Sequence, residues 1–223
     1  DEGNIFISCV TTAADGDFAA FSGLIGSYSD TVVIKYNQTG EYQWHHVLAT
    51  SGTDDFSAIA ADGKGGCLVA GNYTLVSATV PDGTLKGIDN YGKTDALAIH
   101  LNENGERQWY KIISGSYNDF ITDAACTDNG FALTGYTNSY NCEFASIGNL
   151  GGTDGFICSL DTNGNIVKLL SQPGTGNDAA LCLAYSDINK ELFVAGRTTS
   201  TNGAFKDNAY SDSIVGYVGR YEK

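Results

Sequence analysis

Short apolar runs recur along the chain, separated by turns rich in Gly, Asn and Asp. Residues 95–137 contain four such runs, ALAIHL, RQWYKI, FITDAAC and GFALTGYT. Their β-branched and aromatic residues favour strands, and no segment shows a sustained helical period. The pattern therefore predicts an all-β protein.

The unit of four runs recurs with a period of about 60 residues, which is typical of a repeat architecture. Four strands per unit indicate a β-propeller blade. The first run of each unit is almost continuously apolar, which predicts a strand buried on both faces, next to the propeller axis. No linker interrupts the units, so we expect one domain over residues 1–223. The predicted complete blades are 30–74, 95–137 and 154–198, and a split blade combines 212–223 with 1–12.

The second unit reads D-A-L-A-I-H-L-N-E-N-G-E-R-Q-W, then a Gly-containing loop, N-D, a strand, a D-N-G turn and F-A-L-T-G-Y-T. This wording resembles the bacterial β-propeller repeat of the SBBP type, and the resemblance extends over all three units and both fragments. It implies a secreted or cell-surface bacterial propeller but no particular chemistry. Trp44 and Trp109 are predicted to wedge between adjacent blades, and the third unit departs from the pattern with Lys168 at that position.

The two fragments lack the second and third runs of a complete unit, so ring closure is open at this stage. Either the fourth blade is a reduced one, or further repeats or a second copy of the chain cover the ends. The chain begins with DEGN, which has neither an initiator Met nor a signal peptide. We therefore expect a segment of a longer protein, with self-association or attachment to further domains as its contacts.

Charge and cysteine content limit the possible partners. The net charge of −14 would repel the phosphates of nucleic acid and of anionic membranes. No stretch approaches the roughly 18 apolar residues of a membrane span. The six Cys have no CxxC spacing and are read mainly as buried thiols, with disulfides left open. We expect no nucleic-acid partner and no membrane span.

Up-and-down strand order places alternate loops on opposite rims of a propeller. The short hairpin turns share one rim. The long, dissimilar connections at 13–29, 75–94, 138–153 and 199–211 share the other, called here the long-loop rim. Binding commonly lies on variable loops of a rigid scaffold, so this rim is the candidate functional surface.

Acidic residues recur at the strand starts on this rim. One set opens the first runs and is predicted to ring the mouth of the central channel, where carboxylates could hold a cation such as calcium. The alternative is that each carboxylate accepts backbone hydrogen bonds and fixes a loop, and recurrence in every unit favours it. The first set is Asp30, Asp95, Asp154 and Asp212, and a second set, which opens the third runs, is Asp55, Asp119 and Asp178.

Aromatic residues in the long connections are candidate ligand contacts. An exposed ring among Gly, Ser and Asn can stack on a sugar or anchor a protein partner, and packing is the alternative. The candidates are Tyr28, Tyr91, Tyr140 and Tyr210.

No Ser/His/Asp, Cys/His or zinc-ligand spacing is conspicuous, so an enzyme is not favoured. We expect a non-catalytic extracellular module that binds a glycan or a protein through the long-loop rim, without an obligatory cofactor. One alternative is a carbohydrate-active enzyme that uses rim Asp residues as acid and base. Another is a structural or self-association domain of a larger surface protein.

Overall fold

A computed structural model describes residues 3–13, 15–21, 28–75, 85–91, 93–207 and 213–222. Strands dominate it, and the helical elements in these ranges are three short 3₁₀ turns at Gly16–Ala20, Cys142–Ser146 and Gly203–Phe205. The all-β prediction is confirmed. The strands are β1 (Ile5–Thr11), β2 (Asp30–Tyr36), β3 (Tyr42–Leu48), β4 (Asp54–Ala61), β5 (Cys67–Tyr73), β6 (Asp95–Leu101), β7 (Arg107–Ile113), β8 (Asp119–Thr127), β9 (Gly130–Thr137), β10 (Asp154–Asp161), β11 (Ile166–Gln172), β12 (Asp178–Ser186), β13 (Glu191–Thr198) and β14 (Val215–Glu222).

The strands form four antiparallel sheets in chain order. The first sheet contains β1 to β3, the second β4 to β7, the third β8 to β11 and the fourth β12 to β14. Within each sheet, every strand pairs with its neighbour in sequence. The hydrogen-bonded ladders are therefore built from local hairpins and from pairs that span the long loops.

The sheets do not coincide with the predicted blades. The predicted blade 30–74 contains β2 to β5, yet β3 and β4 lie in different sheets, and β5 pairs with β6 across the loop at 74–94. The same shift of two strands applies to 95–137 and 154–198. A repeat fixes the period of a structure but not its phase, because pairing across a long loop leaves no local turn signature.

Two further expectations are wrong for the same reason. The segments 1–12 and 212–223 do not share a split blade, since β1 pairs with β2 and β14 pairs with β13. The first runs are not innermost either, because β4, β8 and β12 pack against one another from sheet to sheet. The first runs β2, β6 and β10 are flanked by a strand on each side, which equally explains their apolar character.

Consecutive sheets pack face to face and enclose three apolar clusters. Phe56 and Leu97 belong to the cluster between the first and second sheets, and Phe156 belongs to the one between the second and third. The third cluster is smaller and centres on Ile157 and Val194. In the described part of the chain, no extensive strand packing joins the first sheet to the fourth, so a closed ring is not seen.

Trp44 and Trp109 each reach from the last strand of one sheet to a hairpin of the next, as predicted for wedge residues. The indole Nε1 of Trp44 donates to the Glu103 carbonyl at 3.0 Å, and that of Trp109 donates to the Thr162 carbonyl at 2.9 Å. Gly164 has a φ of +81°, and a Cβ there would lie 2.5 Å from the Trp109 ring. The turn therefore requires Gly for its backbone and for the indole.

Strand β14 lies in a register that the repeat does not predict. In the third sheet, Asp154 lies opposite Thr137, whereas at the equivalent place in the fourth sheet Val215 lies opposite Thr198. Asp212, which the repeat places there, is outside the described residues. Tyr217 accounts for the register, because its hydroxyl donates to Gln172 Oε1 of the third sheet and lies 3.2 Å from the Ala179 carbonyl of the fourth.

The six Cys are free thiols. Burial raises the pKa of Cys67 and of Cys158 to about 12, so both are neutral near pH 7. Cys142 and Cys182 are exposed. Over the described ranges, none of the helical turns has the length and apolar character needed to cross a bilayer.

We expect Trp109→Ala to lower the free energy of unfolding by about 2–3 kcal/mol, because it removes a half-buried indole and its hydrogen bond. Lys168→Ala, at the equivalent position of the third sheet, is the matched control and should change it by less than about 0.5 kcal/mol. Urea unfolding followed by circular dichroism measures both. Equal losses in the two variants would contradict the wedge role.

Candidate functional site

In the part of the chain that the structure describes, the long-loop rim contains the ends of the predicted connections and, in addition, three shorter links. These links join β3 to β4, β7 to β8 and β11 to β12, at residues 49–53, 114–118 and 173–177. Each link hydrogen-bonds to the described part of a neighbouring long connection, and the three pairs are Thr53 with Thr74, Ser116 with Asn141, and Thr175 with Asn202. The described loops of the rim lie next to the starts of six strands, β2, β4, β6, β8, β10 and β12.

An Asp stands at the start of each of these six strands, and each is at most 1% exposed. In the second sheet this residue is Asp54 and not the predicted Asp55, because Asp54 lies opposite Tyr73 as Asp119 lies opposite Thr137. Because Asp54 and Asp55 are adjacent, the sequence alone does not show which of them occupies the buried position. The six buried residues are Asp30, Asp54, Asp95, Asp119, Asp154 and Asp178.

Four of these carboxylates share one local contact. Each accepts the backbone N–H of the residue four positions earlier, which closes the end of the preceding loop onto the strand. This is the geometry expected of an Asp that fixes a loop. The donor and acceptor pairs are Thr50 to Asp54 (2.5 Å), Tyr91 to Asp95 (2.5 Å), Gly115 to Asp119 (2.7 Å) and Leu150 to Asp154 (2.7 Å).

Hydroxyl groups from a second loop complete the network. The Asp119 carboxylate accepts Thr137 Oγ1 at 2.5 Å and Ser139 Oγ at 3.0 Å. The Asp178 carboxylate accepts the equivalent hydroxyls of Thr198 at 2.5 Å and Ser200 at 2.8 Å. The Asp119 carboxylate thus ties the link before its own strand to the connection after the next strand, and at Asp178 the link reaches the carboxylate through Ser200, whose Oγ accepts the Gly176 N–H.

Burial raises the pKa of Asp54 to about 7 and that of Asp119 to about 6, although hydrogen bonds from their loops oppose the shift. A second, smaller cause is a carboxylate in the preceding sheet, Asp30 for Asp54 and Asp95 for Asp119. The pKa of Asp154 is also raised by burial, with Asp178 as a further cause. The six carboxylates therefore form three pairs, one at each junction between sheets.

Each carboxylate is buried beneath the rim loops, and Asp178 also lines a cavity that is described below. Among the described residues, no three acidic, His or Cys side chains converge as metal ligands. The contacts of Asp95 and Asp154 are those of the loop-fixing alternative. The calcium hypothesis stays a prediction, and Asp212 lies outside the described residues.

The predicted tyrosines lie in exposed parts of the rim. Tyr91 is 64% exposed, Tyr140 is 61% exposed and Tyr28 is 40% exposed. Tyr210 lies outside the described residues. Of the three, only Tyr140 has another tyrosine in ring contact in the described part of the rim.

That partner is Tyr117, which the sequence analysis missed. The two ring centroids are 5.7 Å apart, and Tyr117 is itself 40% exposed. A hydrogen bond with Tyr117 raises the pKa of Tyr140. Tyr117 stands between Ser116 and Asn118, the same polar setting as the other candidates, but its link is short and the prediction considered only the long connections.

The tyrosine pair is held by polar contacts between its two loops. Asn141 Oδ1 accepts the Ser116 N–H at 2.9 Å, and Asn141 Nδ2 donates to Ser116 Oγ at 2.6 Å. The Tyr117 N–H donates to Ser139 Oγ at 3.0 Å. Ser139 Oγ in turn donates to the buried Asp119, so the network of carboxylates positions the exposed rings.

A cavity of about 320 Å³ opens on the same rim between the third and fourth sheets. Tyr136 lies on its wall, with Arg197 as a cationic group. The Tyr136 ring is stacked on Phe120 at a centroid distance of 4.8 Å, which fixes its orientation. The other lining residues are Thr153, Asn177, Asp178, Ala179, Thr199 and Ile214.

A second polar group lies on the opposite rim and was also missed. His100 Nε2 is 3.0 Å from Asp62 Oδ2, beside a cavity of about 150 Å³ that Cys126 also lines. Burial and, secondly, the charge of Asp62 raise the pKa of the Cys126 thiol. A raised thiol pKa keeps the thiol neutral, and a neutral thiol is a poor nucleophile.

No family model matches the chain. The sequence is similar to the regulatory protein FlaEY of Caulobacter vibrioides, with 24% identity over 167 residues. The match covers 74% of this chain and 17% of FlaEY, so the chain spans less than a fifth of that protein's length.

We expect stability to increase as the pH is lowered from about 7.5 to about 5, because Asp54 binds a proton in the folded state at a pH where the unfolded chain does not. Its contribution is fully present below the ordinary Asp pKa and is lost as the pH rises through about 7. In Asp54→Asn this pH dependence should be weaker. Thermal unfolding at several pH values measures this pH dependence. In a domain of this size, each kcal/mol of unfolding free energy shifts the melting temperature by about 2–4 °C.

The matched control is Asp187→Asn, which removes the same charge from an exposed turn. It should leave the slope of melting temperature against pH unchanged. If melting temperature depends on pH as steeply in Asp54→Asn as in the unaltered chain, Asp54 is not the source of the pH dependence.

Proposed function

We propose that this chain is a non-catalytic binding module of the β-propeller type, placed outside a bacterial cell or on its surface, and that its long-loop rim binds a glycan. The observation that carries the proposal is the pair of exposed rings at Tyr117 and Tyr140. The four-sheet all-β fold and the resemblance to SBBP-type repeats support the propeller and its location.

A sugar fits the tyrosine pair chemically. The C–H faces of a sugar ring stack on aromatic rings, and Tyr loses little conformational entropy on binding. Ser116, Asn118 and Asn141 stand beside the rings, and their hydroxyl and amide groups can donate to or accept from sugar hydroxyls. The Asn141 to Ser116 contacts hold the loops before any ligand arrives, which favours binding through preorganisation.

The cavity at Tyr136 and Arg197 supports a second contact region on the same rim. Its volume of about 320 Å³ lies at the lower end of the range for ligand pockets, about 300–1,000 Å³. Its lining combines one aromatic ring with Asn and Thr side chains, which suits a polyhydroxylated ligand. The loop 138–153 connects the two regions, since it carries Tyr140 near one end and Thr153 at the other.

A protein ligand is the alternative for the same rings, because Tyr is also a common anchor in protein interfaces. The enzymatic alternative has less support, since the six described strand-start Asp are buried against their own loops. A glycosidase needs two carboxyl groups that reach the scissile bond. The remaining alternative is a self-association domain, in which the same rings would contact a second copy of the chain.

A glycan array probed with the labelled chain should give selective binding that Tyr117→Ala and Tyr140→Ala each weaken by about 1–3 kcal/mol, the scale of an interface anchor. Isothermal titration with the best array ligand gives the affinities. The matched control is Tyr42→Ala, which removes an equally exposed ring from the start of β3 on the opposite rim.

Three results would contradict the proposal. The first is an array without any selective ligand, and the second is unchanged affinity in both rim variants. The third is equal weakening in Tyr42→Ala, which would place the ligand elsewhere. Circular dichroism of each variant establishes that its fold is retained.

A further inference from the structure

The cavity of about 320 Å³ between the third and fourth sheets has unused hydrogen-bond donors on its wall. Arg197 is the only cationic residue that lines it, and its guanidinium presents a planar fork of N–H groups. Asn177 adds the NH₂ group of its side-chain amide. Among the described residues, neither the guanidinium nor this amide nitrogen has a hydrogen-bond partner. The cavity therefore suits a ligand group that accepts hydrogen bonds.

The acceptors at the cavity are already used by the chain itself. The Asp178 carboxylate is fully buried and accepts the hydroxyls of Thr198 at 2.5 Å and Ser200 at 2.8 Å. Asn177 Oδ1 accepts Thr153 Oγ1 at 3.4 Å. A sugar hydroxyl both donates and accepts, whereas a carboxylate only accepts. The donors on the wall thus match a carboxylate better than a hydroxyl.

The fold gives Arg197 no structural task. Asn72, Tyr136 and Arg197 are the penultimate residues of β5, β9 and β13. Asn72 Oδ1 accepts the Ile121 N–H of the next sheet at 2.8 Å. The Tyr136 ring is stacked on Phe120. The Arg197 side chain is exposed and has no comparable contact in the described chain, so its charge is available to a ligand.

Hydrogen bonds connect this cavity to the exposed tyrosine pair. The Asn138 N–H donates to the carbonyl of Asn118 at 3.0 Å, and Asn118 follows Tyr117 in the chain. The Asn138 side chain donates to the Gly152 carbonyl, and the next residue, Thr153, lines the cavity. A glycan of a few units that stacks on the tyrosine pair can therefore place a neighbouring unit at the cavity.

The net charge of the chain limits how acidic such a glycan is. The sequence has 26 Asp and Glu against 12 Lys and Arg, a net charge of −14, and this charge repels a polyanion. Arg197 supplies one guanidinium, whose planar fork matches one carboxylate in a bidentate pair. The cavity therefore suits an isolated acidic sugar among neutral ones.

We propose that the cavity binds the carboxylate of an acidic sugar of the uronic acid class and that Arg197 determines this specificity, an assignment that rests on the glycan-binding function proposed for this rim. The guanidinium donates to both carboxylate oxygens, and Asn177 Nδ2 donates to one of them. Tyr136 packs against the ring of the same sugar. The neutral sugars on either side lie on the tyrosine pair.

Matched pairs of oligosaccharides on the array test this specificity. The two members of a pair differ at one unit, which is glucose or glucuronic acid in one pair and galactose or galacturonic acid in another. They therefore differ only in a hydroxymethyl or a carboxylate group at C6. We expect the acidic member of the bound pair to bind at least about tenfold more tightly in isothermal titration.

Substitution of Arg197 should remove the preference. In Arg197→Ala the ratio of the two affinities should fall to within about threefold. In Arg197→Lys it should be intermediate, because Lys keeps the charge but loses the bidentate pair. Circular dichroism and melting temperature establish that each variant folds.

The matched control is Arg220→Ala, which removes the same charge from β14 on the opposite rim. Arg220 is 62% exposed and lies 3.7 Å from Glu191. This variant should keep the ratio of the unaltered chain. An equal fall in Arg220→Ala would overturn the proposal, since net charge and not Arg197 would then set the preference.

The outcomes separate this specificity from the proposed function. Selective binding that depends on Tyr117 and Tyr140 but is equal for both members of every pair would overturn the specificity alone. A preference for the neutral member, an unchanged ratio in Arg197→Ala, or tighter binding of a sulfated counterpart would do the same. An array without any selective ligand would overturn the proposed function and, with it, the acidic-sugar site.

Discussion

A buried carboxylate must have hydrogen-bond partners, and this constraint organises the long-loop rim. Asp54, Asp119 and Asp178 begin the inner strands, and their own backbone N–H groups donate to a residue of the preceding sheet. The Asp54 side chain accepts from the loop before its strand, that of Asp178 accepts from Thr198 and Ser200, and that of Asp119 accepts from both sides. The same residue thus links two sheets and fixes the loops above them, which is why an Asp stands at each of these strand starts.

The candidate binding surface depends on that arrangement. Ser139 donates to Asp119 and accepts the N–H of Tyr117, so the buried acid and the exposed ring belong to one network. The rim therefore joins a network of buried carboxylates to a few exposed aromatic rings.

The fourth sheet differs from the others at several points that have a common consequence. Its interface with the third sheet lacks an indole, because Lys168 replaces Trp109, and its apolar cluster is the smallest of the three. Tyr217 and Tyr221 both contact Gln172, and this clamp sets the register of β14. Val218 is left 77% exposed, so β14 presents uncovered apolar surface.

The amino-acid sequence determined the strands, their turns and the repeat, because alternation of side chains and turn chemistry are local properties. It also indicated the loop-fixing role of the Asp residues through their recurrence. Only the tertiary structure decided which strands share a sheet, since pairing across long loops has no local signature. It alone separated Asp54 from Asp55 and brought Tyr117 to Tyr140, because burial and contacts between loops arise from packing between residues that are distant in the chain.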